Sequence, residues 1–340
     1  MNAQPFDVEA IDYHTAGEPF RIVTSGVPDI PGAGVRDRRE HARASPELDR
    51  IRRLLCHEPR GHADMYGCFL GPPDDTGADL GVLFWHRDGY STACGHGTIA
   101  LGAWAVECGR LPAPADGEVE LVLDVPSGRV RARVRRERGE VASVTFGNVP
   151  AYVLARSVPV PTTAGGLEVD LAWGGAIYAC LPAAAAGLRP IPEDYARLVQ
   201  TGREIRDALN RTDHAAHPED SRLSGVYGTI LYQDLGDTLE GPHQRNVTVF
   251  ADGQVDRSPC GSGSSARAAL LADEGRLGAG QVLLHDSIVD TRFVVRMTES
   301  VTAAGRDAVA TEVEGTAFRT GEHRFTLDGR DPLDRGFVLR

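Results

Sequence analysis

From its amino terminus the chain alternates apolar and polar positions in short runs. FDVEAIDYH and PFRIVTSG are parted by the turn residues TAGEP, and a period of two predicts strands. A polar, arginine-rich stretch follows and ends in SPELDRIRRLLCHEP. There Leu48, Ile51, Leu54 and Leu55 recur at helical spacing, with Ser45 placed to cap the helix. DMYGCFLG and DLGVLFWH predict two further strands, and VELVLDVPSGRVRARVRRERGEVASVTF three more joined at glycines. Residues 148–166, NVPAYVLARSVPVPTTAGG, are rich in proline and glycine and predict a boundary. Beyond it the order repeats. LEVDLAWGGAIYACL predicts strands, IPEDYARLVQTGREIRDALNRT a helix, and GVYGTILYQDL and NVTVFADG more strands. GQVLLHD, RFVVRMTE, AVATEVEG and HRFTLDG close the series.

Two αβ halves of like order imply duplication, since the period is far longer than that of a solenoid. We expect an α+β chain with one half over residues 1–150, completed by a strand within 322–340, and the other over 151–321.

A second repetition lies inside the first. CGHGTIALGAWAVECGRL (Cys94 to Leu111) aligns without a gap with CGSGSSARAALLADEGRL (Cys260 to Leu277), 166 residues further on. Both begin Cys-Gly-x-Gly, share alanines (Ala100 with Ala266, Ala103 with Ala269) and end Gly-Arg-Leu. Each predicts a helix that starts at the cysteine. Thr98 and Ser264 are expected to satisfy free amides of the first turn, and Gly109 and Gly275 to cap the far end. A helix N-terminus lowers a thiol's pKa, and its free amides bind a carboxylate. Related by a pseudo-two-fold axis, two such ends can address one small molecule from opposite faces. One thiolate then removes a proton from carbon while the other thiol returns one, a stereoinversion that needs no cofactor. A lone nucleophilic cysteine is a weaker alternative, because nothing assigns it a paired His and Asn.

Composition narrows the chemistry further. With 340 residues, 41% apolar and 25% charged, the chain is an ordinary globular protein of two-domain length. No apolar run approaches the roughly 18 residues that span a bilayer. The start, MNAQPFDVEAID, lacks a basic region followed by an apolar core, so the expected compartment is the cytoplasm. A net charge of −12 argues against nucleic acid or an anionic membrane as partner. All 36 basic residues are arginine, which excludes a pyridoxal phosphate Schiff base and a Walker A lysine. Of the six cysteines, Cys56, Cys68, Cys108 and Cys180 are expected to be free thiols acting as small buried apolar groups. Among His57, His62, His214 and His217, only the last two have close ligand spacing, in the loop-like run TDHAAHPED, so no metal is expected.

Several stretches together resemble the proline racemase family over essentially the whole chain. GYSTACGHGTIALG looks like its first catalytic motif and DRSPCGSGSSA like its second. HTAGEPFRIV, EPRGHADMYG and AWGGAIYA look like further signatures in the expected order. The resemblance implies a diaminopimelate-epimerase-like fold, two pseudo-symmetric αβ domains each with a curved sheet around a central helix, with substrate in the cleft between them. It implies Cys94 and Cys260 as the acid/base pair. Backbone N–H groups of Gly95, His96, Gly261 and Ser262 would hold the carboxylate, Asp256 would meet the ring nitrogen with His96 close by, and Tyr66 and Phe250 would wall the ring. Family reactions are proline racemisation, C2 epimerisation of 4-hydroxyproline and dehydration of trans-3-hydroxy-L-proline. Dehydratases commonly carry threonine at the second cysteine, so Cys260 favours inversion, whereas the flanks GYSTACGH and RGHADMYG look more like the dehydratase or racemase branches. The expectation is therefore a racemase or epimerase acting on a small molecule, with dehydratase as alternative and a non-catalytic binding protein as the remote one. A homodimer is compatible with all three.

Overall fold

The computed structural model describes residues 7–163 and 165–339. The first half supplies β1 (Asp7–Thr15), β2 (Glu18–Ser25), α1 (Val35–Ala44), α2 (Pro46–Cys56), β3 (Tyr66–Gly71), β4 (Leu80–His86), β5 (Gly89–Tyr90), α3 (Gly95–Glu107), β6 (Gly117–Val125), β7 (Gly128–Glu137) and β8 (Glu140–Gly147). There follow β9 (Ala151–Thr162), β10 (Gly165–Trp173), β11 (Ile177–Pro182), α4 (Tyr195–Leu209), β12 (Val226–Asp237), β13 (Pro242–Phe250), β14 (Gln254–Asp256), α5 (Gly261–Asp273), β15 (Val282–Asp286), β16 (Arg292–Ala303), β17 (Arg306–Gly315) and β18 (Ala317–Thr326).

The pairing pattern makes the duplication explicit. β1 is antiparallel to β2, β2 parallel to β3, β3 antiparallel to β4, and β4 parallel to β6, after which β6, β7 and β8 form a meander. The second half repeats the series: β10 antiparallel to β11, β11 parallel to β12, β12 antiparallel to β13, β13 parallel to β15, then β15, β16 and β17. β9 flanks β10 as β18 flanks β1. The two halves join where β17 pairs with β8, while β17 also meets the start of β9 within the second half.

Each sheet curls around one helix. α3 touches β1, β2, β6, β7, β8 and β18, and is buried without a break from Gly95 to Val106. α5 touches β9, β10, β11, β16 and β17, and is buried from Gly261 to Leu271. A helix as apolar all round as α3 can only be enclosed, whereas α5 also buries Arg267, whose Nε donates to Gln244 Oε1 at 2.9 Å. Burying one leucine fully, such as Leu101 or Leu271, contributes about 2–3 kcal/mol.

Several expectations change. Residues 148–166 contain the strand β9 where a boundary stretch was read. Its Pro159 and Pro161 lie opposite Glu168 and Gly166 of β10, whereas β17 meets β9 only at Ala151 and Tyr152. Proline fits where the strand has one neighbour, because no second ladder needs its missing N–H. The closing strand β18 starts at Ala317, ahead of residue 322. Within the arginine-rich stretch lies the helix α1, whose buried face is Val35, Arg38 and Ala42; an arginine on that face hides the apolar period. Ser45 does cap α2, accepting from Leu48 N–H at 3.3 Å. Gly109 and Gly275, at φ 73° and 70°, end α3 and α5 in the left-handed region that favours glycine. Thr98 and Ser264, however, donate to the carbonyls of Cys94 (2.8 Å) and Pro259 (3.0 Å) rather than accepting from amides. All six cysteines are free thiols. Cys56, Cys68 and Cys180 are buried, but Cys108, at the C-terminal end of α3, is exposed.

Candidate active site

The N-termini of α3 and α5 abut. A Cβ placed on Gly95 would lie 2.6 Å from Gly261 Cα, and one on Gly261 would lie 2.8 Å from Gly95 Cα. No side chain fits between them, so the two glycines let the helix ends meet backbone to backbone. Gly97 and Gly263 do similar service for the sulfurs: a Cβ there would come within 2.8 Å of Cys94 Sγ or Cys260 Sγ.

Both thiols open into one chamber, together with Gly95, His96, Gly261, Ser262, Asp256, Tyr66 and Phe250. All nine residues singled out in the sequence are therefore brought together. The first N–H groups of a helix have no acceptor within it, so this chamber is bordered by donors from two helices. Its free volume is about 10 Å³, near the room one water needs. A five-membered ring does not fit that space unless the walls move apart.

The two thiols differ in surroundings. Cys94 Sγ accepts from Gly97 N–H at 3.2 Å and lies 3.5 Å from His96 Nδ1. Cys260, at φ 63° and ψ 99°, presents its thiol to the Tyr178 hydroxyl at 3.7 Å, and Tyr178 bonds Ser262 Oγ at 2.7 Å. Burial pushes both thiols well above the usual cysteine range, and the Asp256 carboxylate pushes the same way. That reverses the lowering expected from the helix ends: in a buried site the desolvation of a thiolate outweighs the pull of nearby N–H groups. Burial likewise drives His96 down to about 3, so its ring is neutral.

Asp256 ends β14. Ser258 donates to its Oδ1 through N–H (2.9 Å) and hydroxyl (2.7 Å), and the same hydroxyl accepts from Cys260 N–H at 3.1 Å. Burial pushes Asp256 up to about 6, with Ser258 opposing. The wall is aromatic. Tyr66 sits 5.8 Å from Phe250 and edge-on to His96 at 4.9 Å, and its hydroxyl bonds Ser91 (2.5 Å) and Tyr227 (3.0 Å).

Sequence reasoning missed Tyr178 and Tyr227, both of which line the chamber. Tyr178 lies within AWGGAIYA, already a family-like stretch, whereas the GVYGT around Tyr227 reads only as strand. Of the histidines weighed for a metal, His217 bonds the Tyr152 hydroxyl at 3.1 Å and packs edge-on against Trp173. No described helix is long and apolar enough to cross a membrane.

Comparison with known proteins bears on this geometry. The model of the proline racemase family matches residues 10–338. The chain belongs to the proline racemase family. Its fold is the diaminopimelate-epimerase-like one, two αβ halves around central helices. Within the family it is 41% identical over 329 residues to the trans-3-hydroxy-L-proline dehydratase of Bacillus cereus, covering 97% of each chain. It is also 41% identical over 338 residues to the 3-hydroxyproline 2-epimerase of Burkholderia multivorans, covering 98% of each. Among solved structures it matches a hydroxyproline epimerase from Agrobacterium vitis with bound trans-4-hydroxy-L-proline. That match has a TM-score of 0.91 at 31% identity, over 98% of this chain and 95% of the other.

Proposed function

We propose that this protein inverts C2 of proline or a hydroxyproline without a cofactor, using Cys94 and Cys260 as base and acid. The observation that carries the reading is a thiol at each of two abutting helix N-termini, opening into one closed chamber. Backbone N–H groups of Gly95, His96, Gly261 and Ser262 hold the carboxylate, and Asp256 takes the ring ammonium. Tyr66 and Phe250 flank the ring, and neutral His96 stands beside Cys94. The ammonium also does electrostatic work. It offsets the carboxylate of Asp256, which otherwise opposes a thiolate at either cysteine. One thiolate takes the Cα proton, the other thiol protonates the opposite face, and the thiols exchange roles for the reverse direction.

A second reading is supported by the names of the relatives: dehydration of trans-3-hydroxy-L-proline, which starts with the same Cα proton. Proton NMR in deuterated buffer separates the two. L-Proline, trans-4-hydroxy-L-proline and trans-3-hydroxy-L-proline are offered in separate tubes. Loss of the Cα signal with appearance of the opposite C2 isomer supports inversion. Conversion of the 3-hydroxy compound alone to a pyrroline carboxylate means dehydration instead.

The carboxyl of Asp256 supplies a pH test. An acid with its pKa raised to about 6 is charged only above that value. We expect protonation of Asp256 to add a fall in kcat/KM of about tenfold per pH unit below roughly 6, on top of any slope set by the thiols. Asp256→Asn should lower kcat/KM by about 2 kcal/mol, roughly thirtyfold, and flatten that limb. A limb that survives the substitution belongs to another group. Pyrrole-2-carboxylate, planar at the carbon corresponding to Cα, should compete with substrate.

A further inference from the structure

A largely buried ion cluster around Arg257 adjoins the chamber residue Asp256. Arg257 follows Asp256 in sequence and precedes Cys260 by three residues. Its backbone N–H donates to Glu18 Oε2 at 2.8 Å, and its Nε reaches the same oxygen at 3.0 Å. Nη1 lies 3.2 Å from Asp64 Oδ2, and Nη2 donates to the Asp64 carbonyl at 3.3 Å. Glu18 opens β2 and Asp64 precedes β3, both in the half that carries Cys94. The cluster therefore ties the loop holding Asp256 and Cys260 to the opposite half.

Other ion pairs cross the cleft: Arg87–Asp252, Arg36–Asp220, Arg222–Asp37 and Arg206–Asp88. Each has at least one partner more than a third exposed, so solvent and salt weaken it. Around Arg257 the side chain of Glu18 is fully buried and that of Asp64 is 9% exposed. Breaking a pair there strands a buried charge, which is the costly case. Glu18 Oε1 has no hydrogen-bond partner, and burial pushes the Glu18 carboxyl well above the usual range, with Arg257 opposing and Asp256 and Asp64 adding to the rise.

We propose that Arg257, clamped by Glu18 and Asp64, latches the cleft shut. It is a positioning residue that presses Asp256 and Cys260 against the other half. A cationic amine arriving at Asp256 brings positive charge beside Glu18 and Asp64 and so favours closure over an ammonium-bearing substrate. This role in turnover rests on the two-thiol reading, but the latch itself can be tested without it.

Iodoacetamide labelling of the intact protein, followed by mass spectrometry, reads how often the cleft opens. In Arg257→Met, labelling of Cys94 and Cys260 should rise about tenfold or more, while buried Cys56 and Cys68 stay slow. Arg257→Lys should return most of the protection, and Glu18→Gln should move rates in the same direction as Arg257→Met. Unchanged labelling of Cys94 and Cys260 would overturn the latch. Equal acceleration of all four cysteines would overturn it too, since that reports a loosened fold. In deuterated buffer with a substrate that the wild type inverts, Arg257→Met should also raise deuterium uptake into unconverted substrate relative to inversion, because an open site lets solvent reach the thiols. A wild type that inverts nothing sinks the two-thiol reading and leaves the labelling result to decide the latch.

Discussion

Replacing Cys260 by serine is expected to slow inversion at C2 by about a thousandfold or more with the fold intact. The change swaps one atom beside Gly263, so packing is preserved. The chemistry is not, because a hydroxyl is a far weaker acid than a thiol and its oxygen is not poised as a base near neutral pH. Cys94 remains, at the end of α3, with Gly97 N–H on its sulfur. The variant should still exchange the Cα proton of whichever enantiomer presents it to Cys94, while failing to deliver a proton to the far face. Cys94→Ser should show the mirror behaviour with the other enantiomer. NMR in deuterated buffer, with chiral analysis of the product, reads both halves of the reaction. Near-normal inversion by either variant would end the two-base mechanism. Rapid loss of trans-3-hydroxy-L-proline by Cys260→Ser, with inversion abolished, would instead assign elimination to Cys94 alone.

Gly95→Ala is the second large expectation. The added Cβ would sit 2.6 Å from Gly261 Cα and 2.9 Å from Ser262 N, both backbone atoms of the opposing helix end. Neither can swing away, so α3 and α5 must separate. Overpacking of this kind costs about 1–3 kcal/mol of stability. Activity should suffer more. A shift near 1 Å between the thiols and the carboxylate-binding N–H groups costs about a hundredfold in rate. Gly109→Ala is the control. Its Cβ meets nothing within 4 Å, but its φ of 73° is strained for alanine. It should lower the thermal midpoint by a comparable free energy, about 1 kcal/mol, and leave kcat/KM unchanged. If the Gly95 variant matches the control in activity, the helix ends do not set the geometry.

How much of this was legible in the residues depended on whether the signal was local. Strand alternation, the Ser45 cap and the 18-residue repeat are written in neighbouring positions, and each predicts its element correctly. α1 escaped because Arg38 occupies its buried face and donates to the Pro72 carbonyl at 2.5 Å, so a polar letter stands where an apolar one was sought. β9 escaped because proline reads as a breaker, and only knowledge of which strands flank it shows that a one-sided strand tolerates it. Tyr178 and Tyr227 come from separate strands of the second half. AWGGAIYA around Tyr178 carries a family-like signal, whereas nothing in GVYGT around Tyr227 distinguishes a chamber-facing tyrosine from a packed one.

The sequence by itself determined the duplication, the helix starts at Cys94 and Cys260, and the absence of lysine-based cofactor chemistry. Those follow from residue identity and short spacing. Tertiary structure alone decided that the two helix ends touch at Gly95 and Gly261, that burial drives both thiols up and not down, and that Arg257 is gripped by Glu18 and Asp64 from 239 and 193 residues away. Desolvation and charge pairing depend on what surrounds a group in space, and a chain brings distant residues together only on folding.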